Sequence, residues 1–135
     1  MSPREAARRG AFFVLALPLV LRAAWRVRRF EPRLPLPDLV DRLRRVRPLA
    51  RPYLKRPTDL EGCVGRVSRL LPLSLGPCLK RSLILLDVWS RCGLEPRLHL
   101  GIAHASGTRC LHAWVTATGG PDRDRENRYR EIWSG

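Results

Sequence analysis

Residues 77–93 read PCLKRSLILLDVWSRCG, and their pattern predicts a mostly buried helix. Apolar residues recur at helical spacing along two adjoining stripes: positions 79, 83 and 86, and positions 85, 88, 89 and 92. Pro77 suits the first helical position, where its missing N–H costs nothing, and Gly93 suits the position just after a helix end. We therefore predict a helix of about four turns from Cys78 to Cys92.

Two segments after this helix have the apolar–polar alternation of strands. They are residues 97–103, RLHLGIA, and residues 110–118, CLHAWVTAT. The chain then turns at Gly119–Gly120 and stays polar until Ile132 and Trp133. A buried helix followed by antiparallel strands is typical of the α+β class.

Prolines divide the first half of the chain into shorter predicted helices. Asp38 is a suitable N-cap for a helix over residues 39–46, LVDRLRRV, whose leucines and last valine share one face. Thr58 or Asp59 is a suitable N-cap for another helix, over residues 60–71. Both predictions rest on a polar cap placed ahead of a helical apolar pattern.

An apolar run, AFFVLALPLVL, extends from Ala11 to Leu21 after a basic start. This outline is typical of a signal peptide, but Pro18 interrupts the run and no small-residue cleavage site follows it. We favour a helix from Glu5 to Phe30, kinked at Pro18, that packs on the domain or lies at a membrane surface. At a membrane surface three arginines would point outward: Arg22, Arg26 and Arg29. No uninterrupted apolar run reaches the ~18 residues expected of a membrane span.

The chain has 135 residues, which suits one domain, and a formal net charge of +14 that is unevenly spread. Residues 1–56 hold 15 basic and 4 acidic side chains, whereas residues 57–135 hold 11 and 8. Prolines mark residues 47–58 as a linker or irregular arm. We predict a basic helical N-terminal region over residues 1–56, packed on or adjoining a core over residues 57–135. Its charge would suit nucleic acid, an anionic membrane or another acidic partner, although a coding bias toward arginine explains it equally well.

Four cysteines, Cys63, Cys78, Cys92 and Cys110, are separated by 15, 14 and 18 positions. No pair has the spacing of a zinc-binding motif, and a small secreted disulfide scaffold would be denser in cysteine. We therefore expect reduced thiols in a cytoplasmic protein, with no metal and no cofactor. Each thiol is then either a small buried hydrophobe or a nucleophile.

Cys78 and His112 are the pair best suited to chemistry. Cys78 would lie in the first turn of the predicted helix, where unpaired N–H groups and the positive end of the helix dipole stabilise a thiolate. His112 would share a strand face with Trp114 and serve as the base. An acidic residue beyond the glycine turn, Asp122 or Asp124, would orient the imidazole. Nucleophile, base and orienting acid together indicate a cysteine hydrolase or transferase.

The same segments resemble a known family. Residues 78–82 (CLKRS) open the helix, Gly93 follows it, and residues 97–101 (RLHLG) and 111–115 (LHAWV) lie in the strands. In this order they resemble the protease half of the lasso-peptide B proteins, which are transglutaminase-like cysteine peptidases that remove the leader of a ribosomally made precursor. The resemblance covers about Pro77 to Asp124, and the chain length is similar to that of the stand-alone protease form.

The resemblance implies an α+β, transglutaminase-like (papain-like) core, with the catalytic Cys at a helix N-terminus and the His on an antiparallel strand. It implies Cys78 as nucleophile, His112 as general base, and Asp124 rather than Asp122 as the third triad member. Leu79 and Trp114 are assigned to the substrate and oxyanion region. The implied partners are a precursor peptide, a leader-binding protein and an ATP-dependent lasso cyclase.

Two other functions fit the same sequence. A transglutaminase-like acyl transferase would use the same triad, with an amine in place of water. A non-catalytic basic protein would bind nucleic acid or a membrane through its arginine-rich half, and Cys78 would play no part. Since no recognised nucleic-acid motif is present, we expect no nucleic-acid partner, but a peripheral contact with a membrane stays open.

Overall fold

The structure is a computed structural model that describes residues 2–48, 54, 56–70, 77–105, 108–117 and 130–135. Within these ranges the chain forms four helices: α1 (Pro3–Phe30), α2 (Leu36–Arg44), α3 (Pro57–Ser68) and α4 (Pro77–Arg91). Three strands complete the described part of the fold: β1 (Pro96–Ala105), β2 (Thr108–Ala117) and β3 (Arg130–Ser134). Helices with a small antiparallel sheet are compatible with the predicted α+β class.

The first helix, α1, begins at a reciprocal capping box. The Ser2 Oγ accepts a hydrogen bond from the Glu5 N–H (3.2 Å), and the Glu5 carboxylate accepts one from the Ser2 N–H (3.1 Å). The helix continues through Pro18 to Phe30. Its inner face contacts α3 and α4 through seven buried residues: Phe12, Ala16, Leu19, Val20, Ala23, Ala24 and Val27. The predicted helix and its packing on the domain are confirmed, while the kink at Pro18 stays a prediction.

The helices α2 and α3 begin at prolines rather than at the predicted polar caps. Pro37 lies in the first turn of α2 and Asp38 follows it inside that turn, so the predicted cap at Asp38 is wrong. Pro57 is the first residue of α3 and no side chain caps that helix, so neither Thr58 nor Asp59 is its N-cap. Proline suits a first turn because its φ is already helical and its missing N–H would have no partner there.

The helix α4 contacts the other three described helices and two strands, and so forms the centre of the described core. Five of its apolar side chains are at most 2% exposed: Leu83, Ile84, Leu86, Val88 and Trp89. After the helix, Gly93 has a φ of +75°, a left-handed conformation that glycine adopts without strain. The Gly93 N–H donates to the Ser90 oxygen (3.1 Å) and the Leu94 N–H to the Trp89 oxygen (3.0 Å), which is a Schellman motif. The predicted buried helix, with Gly93 just beyond its end, is confirmed.

The three described strands form one antiparallel sheet in the order β2-β1-β3. β1 and β2 pair along their whole length, from Pro96 opposite Ala117 to Ala105 opposite Thr108. Both predicted strands are therefore confirmed, and each extends by two residues into the predicted turn between them. β3 lies in the last segment, where the polar sequence led to no predicted strand. The segment forms a strand because its backbone pairs with β1, although most of its residues are polar.

One face of this sheet is covered by α4. Leu98 of β1 is fully buried and Ala113 of β2 is 6% exposed on this face. The Ser82 hydroxyl of α4 donates a 3.1 Å hydrogen bond to the Ala113 carbonyl oxygen, which ties the helix to the strand. The opposite face carries a row of polar and aromatic side chains on β1 and β2: His99, His112, Trp114 and Thr116.

A buried ion-pair cluster joins α1 to α4. Asp87 is fully buried and accepts hydrogen bonds from Arg91 Nε (2.7 Å) and from Arg26 Nη1. Arg26 also donates to the Arg42 carbonyl oxygen of α2 at 3.3 Å. Burial lowers the pKa of the Arg26 guanidinium, and the Asp87 charge opposes that effect. The expectation that Arg26 faces outward is wrong, because a buried carboxylate on α4 draws its side chain inward.

By length and composition alone, α1 could also cross a membrane. It has 28 residues and an 18-residue window with a mean hydropathy of 1.6. This window tolerates interrupting charges, whereas the expectation of no membrane-spanning stretch rests on uninterrupted apolar runs. In the structure 39% of this window is buried inside the protein. A core helix and an N-terminal signal sequence meet the same criterion, so it does not distinguish between roles for α1.

Candidate active site

Cys78 is the second residue of α4, and its side chain is exposed. The first-turn N–H groups of a helix have no intrahelical partner, and the helix dipole is positive at that end. No acidic residue lies in this turn. Lys80 and Arg81 add positive charge, part of which Glu61 offsets because it lies 3.6 Å from Arg81. Cys78 is therefore open to a substrate at an electropositive helix end.

The other described thiol side chains are placed for packing. Cys63 in α3 is 5% exposed and Cys92, just after α4, is 8% exposed. Burial raises the pKa of the Cys63 thiol, which keeps that thiol neutral and a poor nucleophile. The side chain of Cys110 lies outside the described residues. Among the described thiols, Cys78 is thus the one suited to chemistry.

The packing of α4 on β2 sets the alignment of these two elements. Ser82 contacts Ala113 through its hydrogen bond. Near the other end of the helix, Ser90 lines the same cavity as Ala117. The eight-residue step along the helix covers about 12 Å, and the four-residue step along the strand covers about 13 Å. The two elements therefore run in the same direction, and the two steps cover nearly the same distance.

This alignment predicts which part of β2 lies nearest to Cys78. Cys78 lies four residues before Ser82, on the same face of α4 and about 6 Å along the helix axis. That distance corresponds to about two residues of a strand. Two residues before Ala113 is Leu111, which is 74% exposed. By this spacing Cys78 would lie level with Leu111, on the sheet face that α4 covers, whereas the side chain of its neighbour His112 lies on the opposite face.

His112 is half-buried, and its imidazole belongs to a stack of three rings. The Trp114 ring centroid lies 5.7 Å from that of His112 and 5.4 Å from that of His99, with interplanar angles of 18° and 12°. On the far side of the stack, His99 Nε2 lies 2.7 Å from Thr116 Oγ1. The stack confirms that His112 and Trp114 share a strand face, and it restricts the plane of the His112 ring.

The other predicted site residues lie in different places. Leu79 is half-buried against the core, next to the exposed Cys78. Trp114 is half-buried on the face of His112 rather than in the core. Asp122 and Asp124 lie outside the described residues, so the third triad member stays a prediction. In the part of the chain that the structure describes, no group of three or more His, Cys, Asp or Glu side chains could hold a metal ion.

Two residues contribute to this geometry without having been predicted from the sequence. Ser82 is a buried hydroxyl four residues after Cys78, and a polar residue inside an apolar helix is itself a sign of a specific hydrogen bond. His99 is the cross-strand partner of Trp114. Pairing the two predicted strands in register would have placed His99 beside Trp114, because directly opposite side chains lie close together.

A sequence model of the transglutaminase-like superfamily matches residues 17–134, which is most of the chain. The chain therefore belongs to the transglutaminase-like superfamily, which includes cysteine peptidases and acyltransferases. The match begins inside α1 and so extends well ahead of the candidate nucleophile. No curated protein and no solved structure matches the chain.

Proposed function

We propose that this protein is a cysteine peptidase that removes the leader from a lasso-peptide precursor, with Cys78 as nucleophile and His112 as general base. The observation that supports this most strongly is the Ser82–Ala113 hydrogen bond, because residue spacing from this contact would put the exposed thiol near the end of β2 that carries His112. Membership of the transglutaminase-like superfamily supports the reaction type. The leader substrate rests on the resemblance of residues 78–82, 97–101 and 111–115 to the lasso-peptide proteases.

The proposed reaction has two steps. His112 takes the Cys78 thiol proton, the thiolate attacks the carbonyl carbon at the junction between leader and core, and N–H groups at the start of α4 stabilise the resulting oxyanion. His112 then gives a proton to the departing amine of the core peptide, which leaves the leader as a thioester on Cys78. Water, deprotonated by His112, hydrolyses this thioester and restores the thiol. The free core amine is the group that a separate cyclase would join to a side-chain carboxylate.

Two further parts complete the proposal. Asp124, or in its place Asp122, accepts a hydrogen bond from the His112 ring and so fixes the tautomer that can serve as a base. A leader-binding protein delivers the precursor, and an ATP-dependent cyclase uses the product. Reduced thiols such as the exposed Cys78 suit the cytoplasm, which is where we place the reaction.

Cleavage assays with Cys78→Ala test the proposal. The purified protein, the leader-binding protein and a precursor are combined, and the products are identified by mass spectrometry. We expect no leader release by Cys78→Ala, because the variant lacks the exposed thiol at the start of α4 that would form the acyl-enzyme. Cys63→Ala is the matched control and should cleave at close to the wild-type rate, with circular dichroism showing that both variants are folded. Cleavage by Cys78→Ala at the wild-type rate would exclude Cys78 as the nucleophile.

The fate of the acyl group distinguishes an acyl transferase from a peptidase. The same thioester on Cys78 could be attacked by an amine rather than by water, since both are nucleophiles of the same kind. Mass spectrometry of reactions that contain an added primary amine distinguishes the two. A peptidase releases the leader as a free acid, whereas a transferase releases it as an amide with the added amine.

A further inference from the structure

The outward side of α1 carries a continuous apolar surface. We call it the outer stripe; it consists of Ala11, Val14, Leu15, Pro18, Leu21 and Trp25, all of them exposed. The four largest side chains are about half exposed or more: Val14 (67%), Leu15 (53%), Leu21 (48%) and Trp25 (57%). The outer stripe extends about 20 Å along a single helix. Exposed apolar surface of this length on one element is a sign of an interaction site.

Arginines flank the outer stripe at both of its ends. Before it lie Arg4, Arg8 and Arg9, and at its far end lie Arg22, Arg28 and Arg29, all of them exposed. No acidic residue occurs between Glu5 and Glu31. The Arg29 guanidinium lies 5.2 Å from the centre of the Trp25 ring, so a cation and an aromatic ring adjoin each other at the edge of the stripe. The surface is therefore apolar along its middle and cationic at its ends.

The position of α1 is fixed by its inner face. Arg26 is paired with the buried Asp87 of α4, and seven side chains of α1 belong to the core. A helix held in this way cannot leave the domain to cross a bilayer without exposing that core and the Asp87 charge. It can meet a bilayer lengthwise, with the outer stripe at the level of the acyl chains and the arginines at the level of the phosphates.

We propose that the outer stripe docks the protein on a membrane surface that contains anionic phospholipids. Charge complementarity favours this occupant, because guanidinium groups at both ends of an apolar stripe match the phosphates that surround the acyl region. A tryptophan beside an arginine suits the boundary between acyl chains and headgroups, where an amphipathic ring has both surroundings. The proposal is independent of the peptidase reaction, since Cys78 lies on another helix.

Co-sedimentation with lipid vesicles tests the proposal. Wild-type protein is mixed with vesicles of phosphatidylcholine alone, or of phosphatidylcholine with phosphatidylglycerol, and the bound fraction is measured. We expect binding to the anionic vesicles and much weaker binding to the neutral ones. The triple variant Val14→Ser/Leu21→Ser/Trp25→Ser should bind the anionic vesicles at least about tenfold more weakly, because it removes apolar area that would enter the acyl region. Leu70→Ser is the control, since Leu70 is 84% exposed outside α1 and its loss should change nothing.

A second pair of variants tests the charges. Arg22→Gln/Arg29→Gln removes two cations beside the outer stripe, and Arg33→Gln/Arg45→Gln removes two exposed cations elsewhere. The first pair should weaken binding to anionic vesicles by about tenfold or more, and the second should have a much smaller effect. Equal effects of the two pairs would contradict docking through this face.

The readouts separate this proposal from the peptidase proposal. Cys78→Ala should bind vesicles like the wild type, and the triple variant should still cleave a precursor in solution. Wild-type protein that stays unbound with both kinds of vesicle would overturn the proposal and leave a protein partner as the occupant of the outer stripe. Equal binding to neutral and anionic vesicles, or full binding by the triple variant, would also overturn it.

Discussion

The ring of Trp114 lies between two histidine rings, and the proposed reaction depends on one of them. His112 must present a nitrogen to the thiol and later to the leaving amine, so its ring plane matters. Trp114 restricts that plane by stacking, and His99 supports Trp114 from the other side through its own contact with Thr116. At the scale of single residues, we therefore assign Trp114 and His99 as positioning residues for the base.

Replacing Trp114 tests this assignment. In Trp114→Ala the imidazole loses its stacking partner, and we expect kcat to fall roughly 10- to 100-fold with little change in KM, because a misplaced base slows the chemical step. Trp114→Phe keeps an aromatic face and should recover most of the rate. Trp25→Ala, which removes a tryptophan from the surface of α1, serves as the control. An unchanged kcat in Trp114→Ala, or a change confined to KM, would show that Trp114 does not position the base.

At the scale of elements, the sequence predicts those helices and strands that local residue patterns determine. The α4 helix follows from apolar residues at helical spacing together with Pro77 and Gly93, and the β1–β2 hairpin follows from alternation. The starts of α2 and α3 differ from the predicted ones, because both helices have a proline in the first turn and no side-chain cap. Proline disrupts the interior of a helix but suits its first turn. A proline in the sequence can therefore mark either the end of one helix or the start of the next.

The strand β3 and the buried Asp87 depend on tertiary contacts instead. β3 forms by pairing with the edge of β1, and backbone pairing places no demand on the polar residues before Ile132. In the sequence Asp87 is a charged residue within an apolar helix. Its partner Arg26 lies 61 positions earlier, so a local pattern does not identify the pair. The candidate pair of Cys78 and His112 was predictable because each lies in a local motif. How the elements that carry them are aligned depends on tertiary contacts, such as the Ser82 hydrogen bond to Ala113.

At the scale of the whole molecule, Asp87 joins the basic N-terminal region to the helix that carries Cys78. It is fully buried and bonded to Arg26 of α1 and Arg91 of α4. The net charge of the chain is +14, and at this point two of its arginines are held inside the protein by a single carboxylate. The N-terminal helix is therefore part of the same packed body as the candidate site rather than a detached arm.

Neutralising Asp87 tests this connection. Asp87→Asn leaves two largely buried guanidinium groups without their counter-charge, so we expect a loss of about 3–5 kcal/mol in the free energy of unfolding. Urea denaturation followed by circular dichroism measures it. Asp41→Asn, at an exposed position of α2, is the matched control and should stay within about 0.5 kcal/mol of the wild type. Equal stability of the two variants would mean that the cluster does not hold α1 to α4.

In the proposed reaction the Cys78 sulfur atom takes the leader acyl group, and this thioester bond can be observed directly. The protein is mixed with precursor and the leader-binding protein, quenched in acid within the first turnover, digested and mapped by mass spectrometry. We predict a peptide containing Cys78 with the mass of the leader acyl group attached as a thioester, and no such adduct on Cys63 or Cys92. Leader release without any adduct on Cys78, together with full activity of Cys78→Ala, would contradict the account.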